Sequence, residues 1–260
     1  MRSGVTVNNS RVAVVVGGGS GIGKAIAGAL HEDGYRVTVA DVNGPAAQAV
    51  AAEFGGHSEA VDVTDEARVE ALFTGVRERE GAVHVVVNTV GLSGWSPVVD
   101  HDVAQFRTVI DVNLVGAFLV LKHGGRVVED GGALVSLTSL NGRQPGEGLA
   151  AYCSAKAGLS MLTQVAALEL ASRGVRVNAV APGLVITPLT EGMQVIPGVT
   201  EDYLDNTPLG RAGLPEEVAD AVVFLCSDRA TWITGEVLDM NGGAHMMRYP
   251  RLRTHFAGLL

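Results

Sequence analysis

The sequence has few cysteines and few lysines. Its two cysteines, Cys153 and Cys226, lie far apart, so no disulfide framework is indicated. The seven histidines are scattered, and no group of His and Cys has the spacing of metal ligands, so we predict no metal site. Lysine occurs only at Lys24, Lys122 and Lys156, against sixteen arginines. A lysine within a motif therefore indicates a requirement that arginine does not meet.

Long apolar runs are also missing, and the first ten residues do not resemble a leader peptide. The longest apolar stretches are strand-sized, so the sequence predicts no membrane span. Residues 1–10 lack the basic and apolar regions of a signal peptide, and we expect a cytoplasmic protein. The net charge of −9 disfavours nucleic acid as a partner, because phosphate binding needs a basic surface.

The composition suits one α/β domain. With 47% hydrophobic residues and 34 glycines, the 260 residues can form a single well-buried domain over 1–260. Short apolar runs predict strands near 11–16, 36–40, 57–61, 84–88, 133–137, 176–180 and 236–240. Helices are predicted between them, near 22–33, 45–54, 65–80, 102–122, 151–172 and 215–227. This alternation predicts a doubly wound, parallel, seven-stranded sheet with helices on both faces.

A glycine-rich turn joins the first strand to the first helix. Gly17, Gly21 and Gly23 have the spacing Gly-x-x-x-Gly-x-Gly, with Ser20 and Ile22 between them. Glycines at such a turn let the backbone approach a pyrophosphate, which the N–H groups and dipole of the helix N-terminus attract. The sequence therefore predicts a dinucleotide site. A flexible loop is the alternative, and the position between a buried strand and a helix argues against it.

The second strand ends at Asp41, eighteen residues beyond Gly23. An acidic residue at this distance can accept hydrogen bonds from the adenosine ribose hydroxyls and repels a 2′-phosphate. No Arg or Lys lies at 18–20 or 42–43 to favour that phosphate. We predict NAD as the cofactor rather than NADP, with an ordinary loop role for Asp41 as the alternative.

A tyrosine and a lysine lie four residues apart in the middle of the chain. Tyr152 and Lys156 fall on one face of a predicted helix, and Ser139 lies thirteen residues before Tyr152. A free phenol has a pKa of about 10, and a nearby ammonium favours the phenolate that could take a proton from an alcohol. Taken alone, the pair could be a chance surface feature. Beside a dinucleotide turn, it indicates hydride-transfer chemistry.

Together these motifs resemble the short-chain dehydrogenase/reductase family, in its compact single-domain form, over about residues 10–243. The resemblance implies a Rossmann-like fold and a catalytic set of Asn113, Ser139, Tyr152 and Lys156. In that set Lys156 holds the nicotinamide ribose and Asn113 positions a water. It also implies cofactor contacts beyond the glycine turn and Asp41, from Tyr152, Lys156 and residues that follow later strands: Asp62, Val63, Asn88, Gly91, Pro182, Gly183, Val185 and Thr187.

Two positions depart from the family pattern. The residue before the first glycine is Val16, where the family usually has Thr. The fourth strand is followed by Asn88-Thr89-Val90-Gly91, where the family usually has Asn-Asn-Ala-Gly. Both positions brace loops, so we expect altered local geometry and an unchanged reaction.

The substrate is predicted from the variable segments. Positions 190–207 match the family's substrate lid, and Trp95, Asn141 and Met193 are candidate substrate contacts beside Ser139 and Tyr152. They indicate an uncharged, mostly apolar secondary alcohol or ketone. An NADH-dependent 3-oxoacyl reductase and a non-catalytic dinucleotide-binding sensor or scaffold are the alternatives.

The tail, residues 245–260, extends beyond the family's usual ending. It contains three arginines and two aromatic residues, so packing over the active site of its own or a neighbouring subunit is favoured over a frayed end. The arginines are then expected near acids or a substrate carboxylate. Family members commonly form tetramers, so the resemblance implies a homotetramer.

Overall fold

A parallel sheet of seven strands organises the chain. The computed structural model describes residues 11–194 and 196–256, so residue 195 of the predicted lid and residues 257–260 of the tail lie outside it. The strands are β1 Val12–Val16, β2 Arg36–Asp41, β3 His57–Ala60, β4 Val83–Asn88, β5 Val128–Leu137, β6 Arg176–Pro182 and β7 Val237–Met240. They pair in the order β3-β2-β1-β4-β5-β6-β7, and every pairing is parallel.

Helices cover both faces of this sheet. They are α1 Gly21–Glu32, α2 Gly44–Ala52, α3 Glu66–Glu80, α4 Val103–Ile110, α5 Gly116–Val127, α6 Ala150–Leu170, α7 Pro188–Gln194, α8 Val199–Asp205, α9 Pro215–Cys226 and α10 Leu252–Phe256. Alternate residues of the central strands point into two separate apolar clusters, one on each face. The predicted doubly wound fold is confirmed.

The sheet places the predicted motifs at one edge. All five residues of β1 are buried, because β2 and β4 flank the strand and helices cover both faces. The chain leaves β1 toward β2 on one side and later returns to β4 on the other. This change of direction opens a crevice beyond the carboxyl ends of β1 and β4, where α/β sheets bind ligands.

Several predicted elements have different bounds. β5 begins at Val128 instead of residue 133, and its pairing with β4 shifts register between Val83 and Val85. The extra residues include Gly131, whose φ of 81° allows the local bend. The predicted helix 102–122 is α4 and α5 joined by a π-helical turn, Asp111–Val115, and it continues to Val127. The lid contains α8 and part of α7, two short helices that the sequence did not predict.

The joined helix Val103–Val127 also bears on membrane association. Within the described residues it is the one helix long and apolar enough to cross a bilayer, with a mean hydropathy of 1.5. The strand-sized apolar runs had not indicated such a stretch. Length and composition alone are weak grounds for a span, because the core helix of a soluble protein passes the same test. Here α5 packs residues such as Leu119 and Val120 into the core.

Candidate active site

The glycine turn brings β1 and α1 into close contact. Gly17 has a φ of 83°, which favours glycine. A Cβ added to Gly23 would lie 2.1 Å from the Gly17 carbonyl oxygen, so no larger residue fits there. Ser20 precedes α1 in an extended conformation, and its side chain does not cap the helix. The first N–H groups of α1 are thus left for a ligand, as an anion site requires.

Asp41 forms the edge of the crevice beside this turn. Its Oδ2 accepts a hydrogen bond from the Gly19 N–H at 2.9 Å, and its Oδ1 accepts one from the Asn43 N–H at 2.9 Å. The carboxylate is therefore fixed between the glycine turn and the start of α2. Asn43 also caps α2, as its side chain accepts from the Ala46 N–H at 3.2 Å.

Asp62 and Val63 follow β3 on the same side. The Asp62 Oδ1 accepts from the Thr64 N–H at 2.9 Å and from the Thr64 hydroxyl at 2.7 Å. The backbone N–H and the hydroxyl of Thr64 lower the pKa of the Asp62 carboxyl, in that order of importance. The side chain is an anion held at the rim, next to the buried Val63.

Two buried asparagines support the wall of the crevice from behind. The Asn88 Oδ1 accepts from the Val90 N–H at 3.2 Å. Asn113 lies in the π-helical turn, and its Nδ2 donates to the carbonyl oxygens of Leu92 at 2.7 Å and Val109 at 2.8 Å. Neither asparagine lines the cavity itself. They fix the loop after β4, including Gly91, where a Cβ would lie 3.7 Å from the Lys156 Nζ.

Ser139, Tyr152 and Lys156 meet at the inner end of the crevice. One turn of α6 separates Tyr152 from Lys156, and the Lys156 Nζ lies 5.7 Å from the centre of the tyrosine ring. The ammonium is buried and donates to the Leu137 carbonyl oxygen at 2.9 Å. Ser139 makes a hydrogen bond with Tyr152. The Ser139 oxygen also accepts from the Asn141 N–H at 3.1 Å, which leaves the serine proton as the donor toward Tyr152.

The segment after β6 forms the far wall. Gly183 packs so closely on Asn241 that an added Cβ would lie 2.8 Å from the asparagine Cβ. The Thr190 hydroxyl donates to the Val185 carbonyl oxygen at 2.7 Å and accepts from the Thr187 N–H at 3.1 Å. Thr190 closes this loop and lines the cavity, a role that its sequence position alone did not indicate.

These walls enclose a cavity of about 500 Å³ along the carboxyl edge of the sheet. Apart from Asn88 and Asn113, every predicted catalytic and cofactor-binding residue lines it. Several apolar and threonine residues of the lining belong to no motif and were not predicted as site residues: Val42, Val61, Val90, Leu92, Val112, Thr138, Pro188 and Leu189.

Comparisons with known proteins agree with this geometry. A family model described as enoyl-(acyl carrier protein) reductase matches residues 16–245. A cis-4-hydroxycyclohexanecarboxylate dehydrogenase of Sinomonas cyclohexanicum is 40% identical over 240 residues, covering 90% of this chain and 96% of that protein. A 3-oxoacyl-(acyl-carrier-protein) reductase of Synechocystis is 37% identical over 251 residues, covering 93% and 100%.

A solved short-chain type dehydrogenase/reductase from Mycobacterium ulcerans has a TM-score of 0.90 and 33% identity, covering 96% of this chain and 94% of that one. The chain belongs to the short-chain dehydrogenase/reductase family. As a member of this family it is an oxidoreductase that transfers a hydride between a nicotinamide cofactor and an alcohol or ketone.

The two departures from the family pattern meet each other in space. The Thr89 hydroxyl lies 3.0 Å from the Val16 carbonyl oxygen and 2.9 Å from that of Gly17, and it donates to this pair. The loop after β4 is thus tied to the glycine turn by a side chain at position 89, although position 16 has no hydroxyl. Both positions thus take part in bracing the two loops, as expected, whereas altered local geometry relative to the family stays a prediction.

The pKa values in the catalytic set differ from the expectation. Burial raises the pKa of the Tyr152 phenol, and the hydrogen bond with Ser139 offsets only part of this rise. Burial also lowers the pKa of Lys156 to about 8. The prediction that Lys156 makes Tyr152 acidic is therefore wrong for these side chains alone. The ammonium is directed at the Leu137 carbonyl, and the desolvated site favours the neutral form of both groups.

A third apolar cluster lies beyond Tyr152, under the lid and the tail. Its buried members are Leu149, Val199, Tyr203 and Leu252. Among the candidate substrate residues, Trp95 and Tyr152 pack against it, whereas the side chain of Met193 lies outside the described residues. Asn141, the remaining candidate, accepts a hydrogen bond from the Tyr249 hydroxyl at 3.1 Å.

The tail is held on the lid by one carboxylate. Asp202 of α8 accepts from the Arg248 Nη2 at 2.7 Å and from the Arg251 N–H at 2.8 Å, and His255 lies 3.2 Å from it. Burial opposes ionisation of Asp202, but these partners outweigh burial and lower its pKa. The first residue of α10, Leu252, is buried in the third cluster. The tail therefore packs on the lid of its own chain.

Proposed function

We propose that the protein is an NAD(H)-dependent oxidoreductase for a secondary alcohol or ketone with an uncharged, mostly apolar skeleton. The observation that carries the cofactor choice is the fixed carboxylate of Asp41. It lines the cavity at the end of β2, where an adenosine ribose would lie, and two backbone N–H groups hold it there. Within the described residues, Lys156 is the only lysine or arginine that lines the cavity, and it lies at the opposite end. A 2′-phosphate would meet a negative charge with no cation to offset it.

The cavity also fits the rest of a dinucleotide. The N-terminus of α1 would hold the pyrophosphate, because only glycine fits at position 23 and the first N–H groups are uncapped. Asp62 and Val63 would hold the adenine, and the segment from Pro182 to Thr187 the carboxamide end. Bound NAD would supply the hydride acceptor.

The chain's own residues would move and hold the proton. Tyr152 exchanges the hydroxyl proton with the substrate oxygen, and its raised pKa favours the protonated form that reduction needs. With substrate bound, Ser139 would donate its proton to the same oxygen instead of to Tyr152 and stabilise the charge that develops there. Lys156 would hold the nicotinamide ribose, while Asn113 keeps the loop after β4 in place behind it.

The third cluster supports an apolar substrate. Its side chains pack against Tyr152, so the group attached to the reacting carbon would face leucine, valine and aromatic surfaces. One arginine of the tail, Arg248, is already paired with Asp202. A substrate carboxylate would therefore have to compete with a side-chain carboxylate for this cation.

The 3-oxoacyl reductase alternative has less support. The Synechocystis relative acts on an acyl carrier protein by its name, and such a partner is acidic enough to need exposed basic residues. Arg173 is already bound to Asp130 at 2.8 Å and to the Gly125 carbonyl oxygen at 2.6 Å. Arg126 is exposed on this side but stands close to Glu129 and Asp130 in the chain. A docking surface would thus carry mixed charge.

A panel of secondary alcohols and ketones with NAD(H) and NADP(H), followed at the nicotinamide absorbance, tests the proposal. We expect turnover of apolar alcohols with NAD and weaker turnover with NADP. A 3-oxoacyl thioester turned over better than every simple ketone would favour the reductase alternative. A protein that binds NAD and oxidises or reduces nothing would be the sensor or scaffold.

We also propose a cytoplasmic homotetramer without a membrane anchor. Apolar side chains are exposed on one side of the helical layer: Val103, Val115 and Phe118 on α4, the π-helical turn and α5, and Met161, Val165 and Leu168 on α6. Leu168 is 80% exposed, which is unusual for a leucine in a group of this size. A second copy of the chain would cover these residues in one interface of the tetramer. Another copy would pack against the edge of the sheet at β7 in a second interface. Light scattering at several protein concentrations measures the mass, and a monomer would refute the tetramer.

A further inference from the structure

Three of the chain's four tyrosines meet on the substrate side of the site. Tyr152 packs against the third apolar cluster, Tyr203 is a buried member of it, and Tyr249 of the tail packs against it from outside. The rings of Tyr203 and Tyr249 lie edge to face with their centres 5.7 Å apart. In an apolar cluster, this pair of phenols is a polar feature beside the reacting tyrosine.

The hydroxyls of Tyr203 and Tyr249 belong to a hydrogen-bond chain with a defined direction. The Asn141 Nδ2 donates to the Gln144 carbonyl oxygen at 3.2 Å, which fixes the amide so that its Oδ1 is an acceptor. The Tyr249 hydroxyl donates its proton to that Oδ1 at 3.1 Å. The Tyr203 and Tyr249 oxygens are 2.6 Å apart, so Tyr203 must be the donor between them.

This direction leaves acceptor capacity on the tyrosine pair. Both phenolic protons are used inside the chain, while the Tyr203 oxygen receives no hydrogen bond from the described residues. A hydroxyl group can donate to it without disturbing the chain. A hydrocarbon group in the same place would leave the oxygen without a donor, and a carboxylate would face two oxygens that have no proton to give.

We propose that Tyr203 and Tyr249 recognise a second hydroxyl group on the substrate. This inference rests on the proposed function and narrows it. The substrate class becomes an apolar secondary alcohol with a further hydroxyl away from the reacting carbon. Tyr203 contacts that hydroxyl, and Tyr249 positions Tyr203 by accepting its proton. The tail therefore contributes a specificity-determining residue to the site of its own chain.

Cyclohexanol and the positional isomers of cyclohexanediol provide the test. With the wild-type protein and NAD, at least one diol should have a kcat/KM roughly three- to tenfold above cyclohexanol, the effect of one hydrogen bond. Tyr203→Phe should remove this advantage, so that the variant has the same kcat/KM for the diol as for cyclohexanol, whatever the change in the value for cyclohexanol itself. Tyr249→Phe should reduce the same advantage. A merely structural loss would lower both substrates together, so the ratio separates recognition from folding.

Tyr35→Phe is the matched control. Tyr35 is the fourth tyrosine and belongs to the core cluster on one face of the sheet, whereas Tyr203 and Tyr249 belong to the third cluster beside Tyr152. It should keep the diol preference in full. Equal kcat/KM for cyclohexanol and every diol in the wild type would overturn the inference while leaving the proposed function standing.

Isothermal titration of the diols into protein saturated with NADH measures the same contact without turnover. Diol binding that Tyr203→Phe weakens, in a protein that oxidises no alcohol, would overturn the proposed function and support the recognition of a hydroxyl. Binding that is the same for cyclohexanol and the diols would overturn the inference.

Discussion

The Thr89 hydroxyl lies 2.9 Å from the Gly17 carbonyl oxygen and joins the loop after β4 to the glycine turn after β1. The same hydroxyl reaches the Val16 carbonyl oxygen at 3.0 Å. In this chain the hydrogen bonds that join the two loops are donated by the side chain at position 89. A family member with Thr before the first glycine has a hydroxyl at position 16 instead.

Replacement of this hydroxyl should weaken both the fold and cofactor binding. Thr89→Val keeps the shape of the side chain and removes the donor, so the free energy of unfolding should fall by about 1 kcal/mol. The affinity for NAD should fall by roughly two- to tenfold, because the glycine turn loses its brace. Urea unfolding and fluorescence titration with NADH measure the two effects. Thr108→Val, on the exposed side of α4, is the control, and equal behaviour of the two variants would contradict the bracing role.

Removal of the phenolic oxygen should stop catalysis. Tyr152→Phe keeps the ring in the third cluster and removes the group that exchanges the proton. Turnover should fall by about 10²–10⁴-fold, the usual contribution of a general acid or base. NAD binding should change little, because the glycine turn and Asp41 remain. Steady-state rates and NADH titration check both points. Wild-type rates in the phenylalanine variant would refute the role of Tyr152.

The cofactor preference should depend on the charge of Asp41. The wild type should bind NADH more tightly than NADPH, and Asp41→Ala should narrow the difference. Asp41→Asn removes the charge but keeps an acceptor for the Gly19 N–H. It therefore separates the repulsion of a 2′-phosphate by the carboxylate from the hydrogen bond that holds the glycine turn. Asp33→Ala, at the exposed end of α1, is the control for loss of a carboxylate. Equal affinities for the two cofactors in the wild type would refute the assignment.

The burial of Lys156 should make the stability of the cofactor-free protein depend on pH. Its pKa is about 8 in the folded chain and near 10.5 in the unfolded chain. Below about pH 8 both states hold the proton, and the cost of burying the ammonium is present in full. Between these values the unfolded chain binds a proton that the folded chain does not, so the free energy of unfolding rises with pH.

Lys156→Met should remove this contribution. Between pH 7 and pH 10, the wild type should gain roughly 2–3 kcal/mol relative to the variant, since one pKa unit corresponds to about 1.4 kcal/mol. Urea unfolding at the two pH values measures the difference, and other titrating groups cancel between the two proteins. Parallel pH profiles would mean that the ammonium is not buried in the folded protein.

The sequence located the strands and the cofactor side of the site because these depend on local patterns. A continuous apolar run such as Val12–Val16 indicates a strand buried on both faces, and a glycine turn directly after such a strand indicates a dinucleotide site. Strand ends then collect Asp41, Asp62 and Ser139 at one edge, as a parallel sheet requires. These positions follow from chain order alone.

What the sequence did not show depends on distant contacts. The start of β5 at Val128 is set by its pairing with Val83. The pKa of Tyr152 depends on how completely other segments exclude water from the phenol. The role of Thr89 needs the packing of two loops, and the tyrosine pair needs the tail to fold back on the lid. None of these leaves a periodic or compositional trace.

The position of Leu252 and Tyr249 has a consequence for synthesis of the chain. Translation proceeds from the N-terminus, and domains can begin to fold before synthesis is finished. Residues 17–190 supply every residue that lines the dinucleotide cavity. The wall on the other side of Tyr152 is completed only by residues 249–252, which are synthesised after every residue of that cavity. A nascent or truncated chain would therefore have all residues of the dinucleotide cavity before the substrate side of the site is complete. Such a chain could bind a nucleotide without being able to select a substrate.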